Sequence, residues 1–258
     1  MEHRFYKYQA TGNDFVVIDN RNGVFPVENW EFIAKLCHRR FGIGADGLIL
    51  LEAVADADFK MVYFNADGKL GSMCGNGGRT AVAFAHFLGI IDRECVFLAA
   101  DGPHRARYSN GQIALQMTDV SVIEQHNTFS FLNTGSPHHV QIVPDYLNVD
   151  VVASGRKIRN EIYGVLGSNV NFVRVLDHGG LEVRTYERGV EDETLSCGTG
   201  VTAAALALHY KGVISSTAVP IATKGGQLQV TFKANPNGGY TEIWLIGPAE
   251  MVFQGILP

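Results

Sequence analysis

A chain of 258 residues that is 46% hydrophobic and 18% charged holds enough apolar side chain for one large domain or two ordinary ones. A net charge of −5 with no basic block argues against a nucleic-acid partner. No apolar run approaches the ~20 residues of a membrane span, and MEHRFYKYQATGNDF lacks the basic-then-apolar layout of a leader, so a cytoplasmic protein is expected.

The first half opens with a strand, HRFYKYQ, a turn, TGND, and a second strand, FVVID. A helix is predicted over Glu28–Arg39, with Phe32, Leu36 and Arg39 on one face and Ile33 and Cys37 beside it. The glycine loop FGIGADG leads into the strands LILLEA and FKMVYFN, and Asn65-Ala66-Asp67-Gly68 is a turn. The loop SMCGNGG precedes a helix predicted over Gly78–Leu88, with Ala81, Phe84, Ala85 and Leu88 at helical spacing and Gly89 as its C-terminal stop. The strands ECVFLAA, HRARYS and QIALQM finish the half, the last two joined by a hairpin at Asn110-Gly111.

In the second half FSFLN, HHVQIV, VNFVRVLD and LEVRTYER read as strands. The loop LSCGTG precedes a helix predicted over Val201–Lys211, stopped by Gly212, and Gly225-Gly226 and Gly238-Gly239 mark hairpins. The helix after each cysteine loop has few charges and is apolar around most of its circumference, which marks it as buried. Strands dominate the remainder. The expected class is α+β, each half a curved sheet or barrel wrapped around one central helix.

The halves are related. Laying Cys197 on Cys74 sets an offset of 123 residues. Without gaps, the same offset lays Tyr186 on Tyr63, Gly198 and Gly200 on Gly75 and Gly77, and His209-Tyr210 on His86-Phe87. Upstream it lays Thr134-Gly135 on Thr11-Gly12, Val140 on Val17 and Gly167 on Gly44. An internal duplication gives two similar domains, residues 1–118 together with 250–258, and residues 119–249. A site in the cleft between them would face both thiols.

Four cysteines in a chain this long are not a disulfide framework. There is no CxxC pair, HExxH, GxxxxGK[ST] loop or GxGxxG after a strand, so no metal or nucleotide cofactor is signalled. His138 and His139 are neighbours in a strand and point to opposite faces, which argues against a shared metal. Cys37 on an amphipathic helix and Cys95 in a strand suit buried structural roles. Cys74 and Cys197 instead sit where glycine loops enter helices. A helix N-terminus lowers a thiol's pKa and holds a carboxylate on its backbone N–H groups. Two such ends facing one carbon suit proton transfer next to a carboxylate: one thiolate removes the proton and the opposite thiol returns one, inverting the centre. A redox dithiol or a nucleophilic cysteine hydrolase are the rivals, but neither explains two thiols 123 residues apart in matching loops.

The segments TGNDFVVID, GIGADG, YFNADG, SMCGNGGR, TGSPHHV, SNVNF, YERGVEDETLSCGTG and GPAEMVF, in this order, resemble the diaminopimelate epimerase family over the whole chain. Proline-type racemases on the same scaffold usually carry His where Asn76 stands, and phenazine-pathway isomerases lack the cysteine pair. The resemblance implies interconversion of LL- and meso-2,6-diaminopimelate without pyridoxal phosphate or metal, with Cys74 and Cys197 as the two bases. It implies that backbone groups around Gly75, Asn76, Gly198 and Thr199 hold the reacting carboxylate. Asn13, Asn65, Asn169, Glu187 and Arg188 would meet the distal amino-acid end, and His138, with Glu187, would tune the thiols or touch the reacting end. The partner is then a small amino acid, and a homodimer is compatible with the resemblance. A proline or hydroxyproline racemase is the alternative. Three departures stand out: Ser136 and Gly47 replace the family's usual Asn and Gln, and the loop before Cys197 is one residue longer than ERGVGETLACG.

Overall fold

The computed structural model describes residues 4–177, 179–236 and 238–257, which leaves His3 of the first predicted strand outside the described residues. The chain divides into two compact units, Met1–Leu115 with Gly247–Pro258, and Gln116–Ile246. Among the described residues no helix is long and apolar enough to cross a membrane.

The first unit runs β1 (Arg4–Ala10), β2 (Asn13–Asp19), α1 (Trp30–Cys37), β3 (Gly47–Glu52), β4 (Phe59–Asn65), α2 (Gly75–Phe87), β5 (Glu94–Ala99), β6 (Gly102–Ser109) and β7 (Gln112–Gln116), which ends just past the unit's edge. β1 pairs antiparallel with β2, β2 parallel with β3, β3 antiparallel with β4 and β4 parallel with β5, and β5, β6 and β7 are antiparallel. The β6–β7 hairpin turns at Asn110 (φ 49°) and Gly111 (φ 79°), the pair of left-handed residues that a two-residue turn of this kind requires. β3 is apolar and buried on both faces, as a strand with a parallel neighbour and helices on either side must be. Its even positions, Leu48 and Leu50, pack with Ile33, Leu36 and Cys37 of α1. On its other face, Ile49 reaches Gly77 of α2.

The second unit repeats the plan: β8 (Ile123–Gln125), β9 (Ser130–Asn133), β10 (Pro137–Ile142), α3 (Val151–Tyr163), β11 (Asn169–Val175), β12 (Leu181–Glu187), β13 (Asp192–Thr194), α4 (Gly198–Tyr210), β14 (Ala218–Thr223), β15 (Gly226–Ala234) and β16 (Tyr240–Pro248). Its parallel steps, β10–β11 and β12–β14, fall where β2–β3 and β4–β5 fall in the first unit. β8 lies antiparallel on β9. The matching place beside β1 is filled from the far end of the chain by β17 (Glu250–Ile256), also antiparallel.

α2 packs against β1, β2, β3, β4 and β6, and α4 against β9, β10, β11, β12 and β15. A helix about 10 Å across covers roughly two strands of a flat sheet spaced ~4.8 Å apart. Contact with five requires the sheet to curve around it. No pairing among the described residues joins β17 to β7 or β8 to β16, so each sheet is wrapped but open, rather than a closed barrel. Burial explains the two central helices. From Val201 to Leu208, α4 is buried throughout and packs with Val173, Leu181, Val183, Ile221 and Val230 of the surrounding strands.

Candidate active site

Both central helices start earlier than predicted. α2 begins at Gly75 and α4 at Gly198, so Cys74 and Cys197 are themselves the N-caps, with extended backbone (φ −119° and −113°). Three glycines, or two with Thr199, weaken helix propensity at these starts, which is why apolar spacing alone placed them three residues late. The first helical bonds are Gly78 N–H to the Cys74 carbonyl at 2.7 Å and Val201 N–H to the Cys197 carbonyl at 3.0 Å. The N–H groups of Gly75 and Asn76, and of Gly198 and Thr199, therefore belong to first turns that point out of the helix end. Neither cysteine side chain caps its own helix.

Around Cys74 the turn between β1 and β2 supplies Asn13. Its Oδ1 accepts from the Cys74 thiol at 3.7 Å and from Asn76 Nδ2 at 3.3 Å. Its Nδ2 donates to Asp46 Oδ2 at 2.7 Å, and because a carboxylate only accepts, this bond fixes which way the amide faces. Asp46 is tied in turn to Arg39 at 2.6 Å, and Arg39 to Asp14 at 2.7 Å. Burial alone would raise the Asp14 carboxyl, but hydrogen bonds and charge from Arg39 and the buried Lys7 outweigh it and hold it at about 2. Asn65 lies at the exposed end of β4, directly across the ladder from Gly47. A side chain at Gly47 would strike the Phe64 carbonyl and the Tyr63 ring, both 2.5 Å from a Cβ built there. The glycine serves the packing of Tyr63, and a glutamine here would need that ring to move.

Around Cys197 the second unit gathers the other expected residues. Cys197 Sγ lies 3.5 Å from Thr199 Oγ1, and the Thr199 carbonyl accepts from Thr134 Oγ1 at 2.9 Å. Asn169 Oδ1 accepts from the Arg188 backbone N–H at 2.9 Å while its Nδ2 donates to Ser136 Oγ at 2.9 Å, so the serine is seated by a neighbouring side chain. Thr194 Oγ1 donates to Glu187 Oε1 at 2.5 Å, and Arg188 Nη1 donates to the Leu166 carbonyl at 2.9 Å.

His138 is fully buried. Asn171 Nδ2 donates to the His139 carbonyl at 2.9 Å and also reaches His138 Nδ1 at 3.1 Å, so that ring nitrogen accepts and the proton sits on Nε2. Burial, reinforced by the nearby Arg188 charge, pulls the imidazole down to about 3, so it is neutral at pH 7. The Nε2 donor is buried with no partner among the described residues. His139 points the other way, its ring nitrogens meeting the Tyr163 hydroxyl and Gln141.

Sequence reasoning overlooked four supports. Asp46 orients Asn13. Asn171, held by Thr185 Oγ1 at 2.9 Å, lies under Gly200 so closely that a Cβ there would come 2.4 Å from its oxygen. Arg79 is buried in α2. Glu191, within the lengthened loop, adopts φ 60° and ties the loop down: its carboxylate accepts from Tyr186, Arg159 and the Gly189 N–H. Only the duplication could have flagged some of these, since Asp46 plus 123 is Asn169, the holder of Ser136.

The fold defines a class of duplicated α+β proteins. A Bacillus anthracis phenazine biosynthesis protein of the PhzF family matches with a TM-score of 0.79 over 100% of this chain and 99% of its own, at 12% identity. A hydroxyproline epimerase from Agrobacterium vitis matches with a TM-score of 0.69 over 99% of this chain and 92% of its own, at 15% identity. Such low identities show the fold alone. The family model described as diaminopimelate epimerase matches residues 5–123 and 130–252, one segment for each half. Diaminopimelate epimerases of Flavobacterium psychrophilum and Chlorobaculum tepidum are 53% and 43% identical, over 97% and 96% of this chain and 98% of theirs. The chain belongs to the diaminopimelate epimerase family.

Proposed function

We propose that this protein is a cofactor-independent isomerase that interconverts LL- and meso-2,6-diaminopimelate, with Cys74 and Cys197 as the two bases. The observation that carries the reading is the repeated N-cap: two buried thirteen-residue helices, each entered through a cysteine in extended conformation. The family's named members and the substrate in their name supply the rest.

In the reaction one cysteine acts as thiolate and takes the α-proton, leaving a carbanion stabilised by its carboxylate. The other cysteine, as thiol, returns a proton from the opposite face. One S–H bond forms, one breaks, and the proton count closes without an oxidant or a carrier. The first-turn N–H groups at Gly75, Asn76, Gly198 and Thr199 hold the carboxylate as its charge grows. His138, neutral and a donor at Nε2, supports a thiolate or the carboxylate by hydrogen bonding rather than by charge. Asn13, Asn65, Asn169, Glu187 and Arg188 take the distal amino-acid end, the guanidinium pairing with its carboxylate. Ser136 and Gly47 act behind them, through Asn169 and Tyr63. The same reading makes the protein a cytoplasmic enzyme of lysine and peptidoglycan precursor synthesis that works as a homodimer, which sedimentation equilibrium tests.

The decisive assay incubates the protein with LL-diaminopimelate, proline and hydroxyproline in heavy water. Deuterium should enter the α-position of diaminopimelate alone, and Cys74→Ala or Cys197→Ala should abolish epimerisation with the fold intact. Exchange into proline instead, or full epimerisation by either variant, would sink the reading.

A further inference from the structure

Arg79 stands one turn into α2 and is 0% exposed. Nη2 donates to Thr11 Oγ1 at 3.1 Å and Asn76 Oδ1 at 3.0 Å, and Nε reaches the Pro248 carbonyl at 3.5 Å. Nη1 is buried with no partner among the described residues. All its acceptors are neutral, and no carboxylate among the described residues pairs with it. Burying a cation without an anion is unfavourable, and the surroundings carry a further strain: Thr11, which accepts from the guanidinium, is a β-branched residue at φ 48°. A fold does not keep such an arrangement for stability. Burial pulls the guanidinium down to about 10, which still leaves it charged at pH 7, and the one group that acts in the opposite direction is Cys74.

The duplication supplies an internal control. Arg79 plus 123 is Thr202, whose hydroxyl donates to the Gly198 carbonyl at 2.9 Å inside α4. The two cysteines cap helices of equal length, so the helix-end effect is common to both. The buried cation is not.

We propose that Arg79 is the fixed counter-charge of the Cys74 thiolate, a positioning residue that makes Cys74 the more acidic of the two helix-capping thiols. The missing anion of the buried guanidinium is then the thiolate itself. Other groups face Cys74. Asn13 Oδ1 accepts from the thiol and favours the protonated form, but over 3.7 Å to sulfur this is a weak contact. Behind it Asp46 is neutralised by Arg39, and Asp14 by Arg39 and Lys7. A whole charge held out of water outweighs one weak neutral acceptor. In the second unit Glu187 ends β12 and Arg188 opens the turn that follows, a pair of opposite sign on a strand end and an exposed turn.

The inference rests on the proposed reading only in giving the Cys74 thiolate a task; its test reads thiol chemistry and needs no turnover. Initial rates of iodoacetamide alkylation are followed against pH in the intact protein, with mass spectrometry separating the Cys74 and Cys197 peptides. In the unmodified protein the Cys74 midpoint should lie below that of Cys197. Arg79→Met should slow Cys74 alkylation at pH 7 by about tenfold or more, the effect of one pKa unit, and leave Cys197 unchanged. Arg79→Lys, which keeps the charge, should restore most of the rate. A Cys74 midpoint at or above that of Cys197 overturns the inference without any variant having to fold. So does a folded Arg79→Met protein with an unchanged Cys74 profile, or a folded Arg79→Lys protein as slow as Arg79→Met. Absence of deuterium exchange into diaminopimelate would instead strike the functional reading and leave these rates untouched.

Discussion

Asn13 and Ser136 occupy the same place in the two halves, and each is held by the residue 33 positions later. In the first half the holder is a carboxylate, Asp46, which turns the Asn13 carbonyl oxygen toward Cys74. In the second it is an amide, Asn169, which donates to Ser136 and leaves the serine hydroxyl hydrogen for another acceptor. The charge of Asp46 is in turn kept in place by the cluster around Asp14, and that cluster has a measurable pH signature. The folded Asp14 value of about 2 lies below the ordinary 3.8, so its contribution is full above about pH 4 and is lost as the pH falls toward 2. Asp14→Asn should therefore cost on the order of 2 kcal/mol at pH 7, with the gap to the parent closing between about pH 4 and pH 2. Urea unfolding across that range checks it; a gap independent of pH would show that Asp14 acts by packing alone. The cysteines were legible as residues because glycine loops at helix entrances are a local signal. Asp46, Asn171 and Arg79 were not, because each acts through partners far away in sequence and has no local pattern of its own.

The helices show the same division between local and distant information. α2 and α4 were legible from apolar spacing, while α3 went unread although it spans thirteen residues. Only Val151 and Gly155 of α3 are buried, so its apolar stripe is thin. The duplication nevertheless pointed to it: the helix predicted over 28–39, shifted by 123, covers 151–162. β13 is too short to read, but it shapes the turn next to Glu187, because Asp192 pairs with Glu187 and closes a four-residue turn over Arg188–Glu191. Glu191 holds that turn with a carboxylate at the expense of a left-handed backbone. Glu191→Gly should relax the backbone, keep the melting temperature, and raise KM for diaminopimelate severalfold with little change in kcat, because Glu187 and Arg188 lose their anchor. Glu191→Gln, whose single amide oxygen can still accept from the Gly189 N–H, should fall between. Unchanged KM in Glu191→Gly would remove the anchoring role.

At the scale of the whole molecule the architecture was the most legible part, because a gap-free offset survives in turn and cap residues even where the cores have drifted. The offset does not reveal that the two sheets recruit their outermost strand differently. The second unit takes β8 from the residues just before β9, whereas the first takes β17 from the chain's far end. Gly255 lies opposite Phe5 in that pairing, and a Cβ on it would come 2.6 Å from the ring. Gly255→Val should therefore lower the stability of the first unit by about 1–3 kcal/mol. Calorimetry should show that unit's transition moving while the transition of the second stays; if both move equally, the strand is not a local support. The β1–β17 pairing also orders events during synthesis. β1 emerges from the ribosome first, and its partner is made some 240 residues later, a wait of roughly 12–50 s at typical elongation rates. Throughout that interval the first unit has an open flank with Phe5 and Tyr6 beside it, while the second unit completes its own sheet with β16 before β17 is made. The half made first is thus the half finished last, and its unpaired flank is where a nascent chain would stick to its neighbours or engage a chaperone.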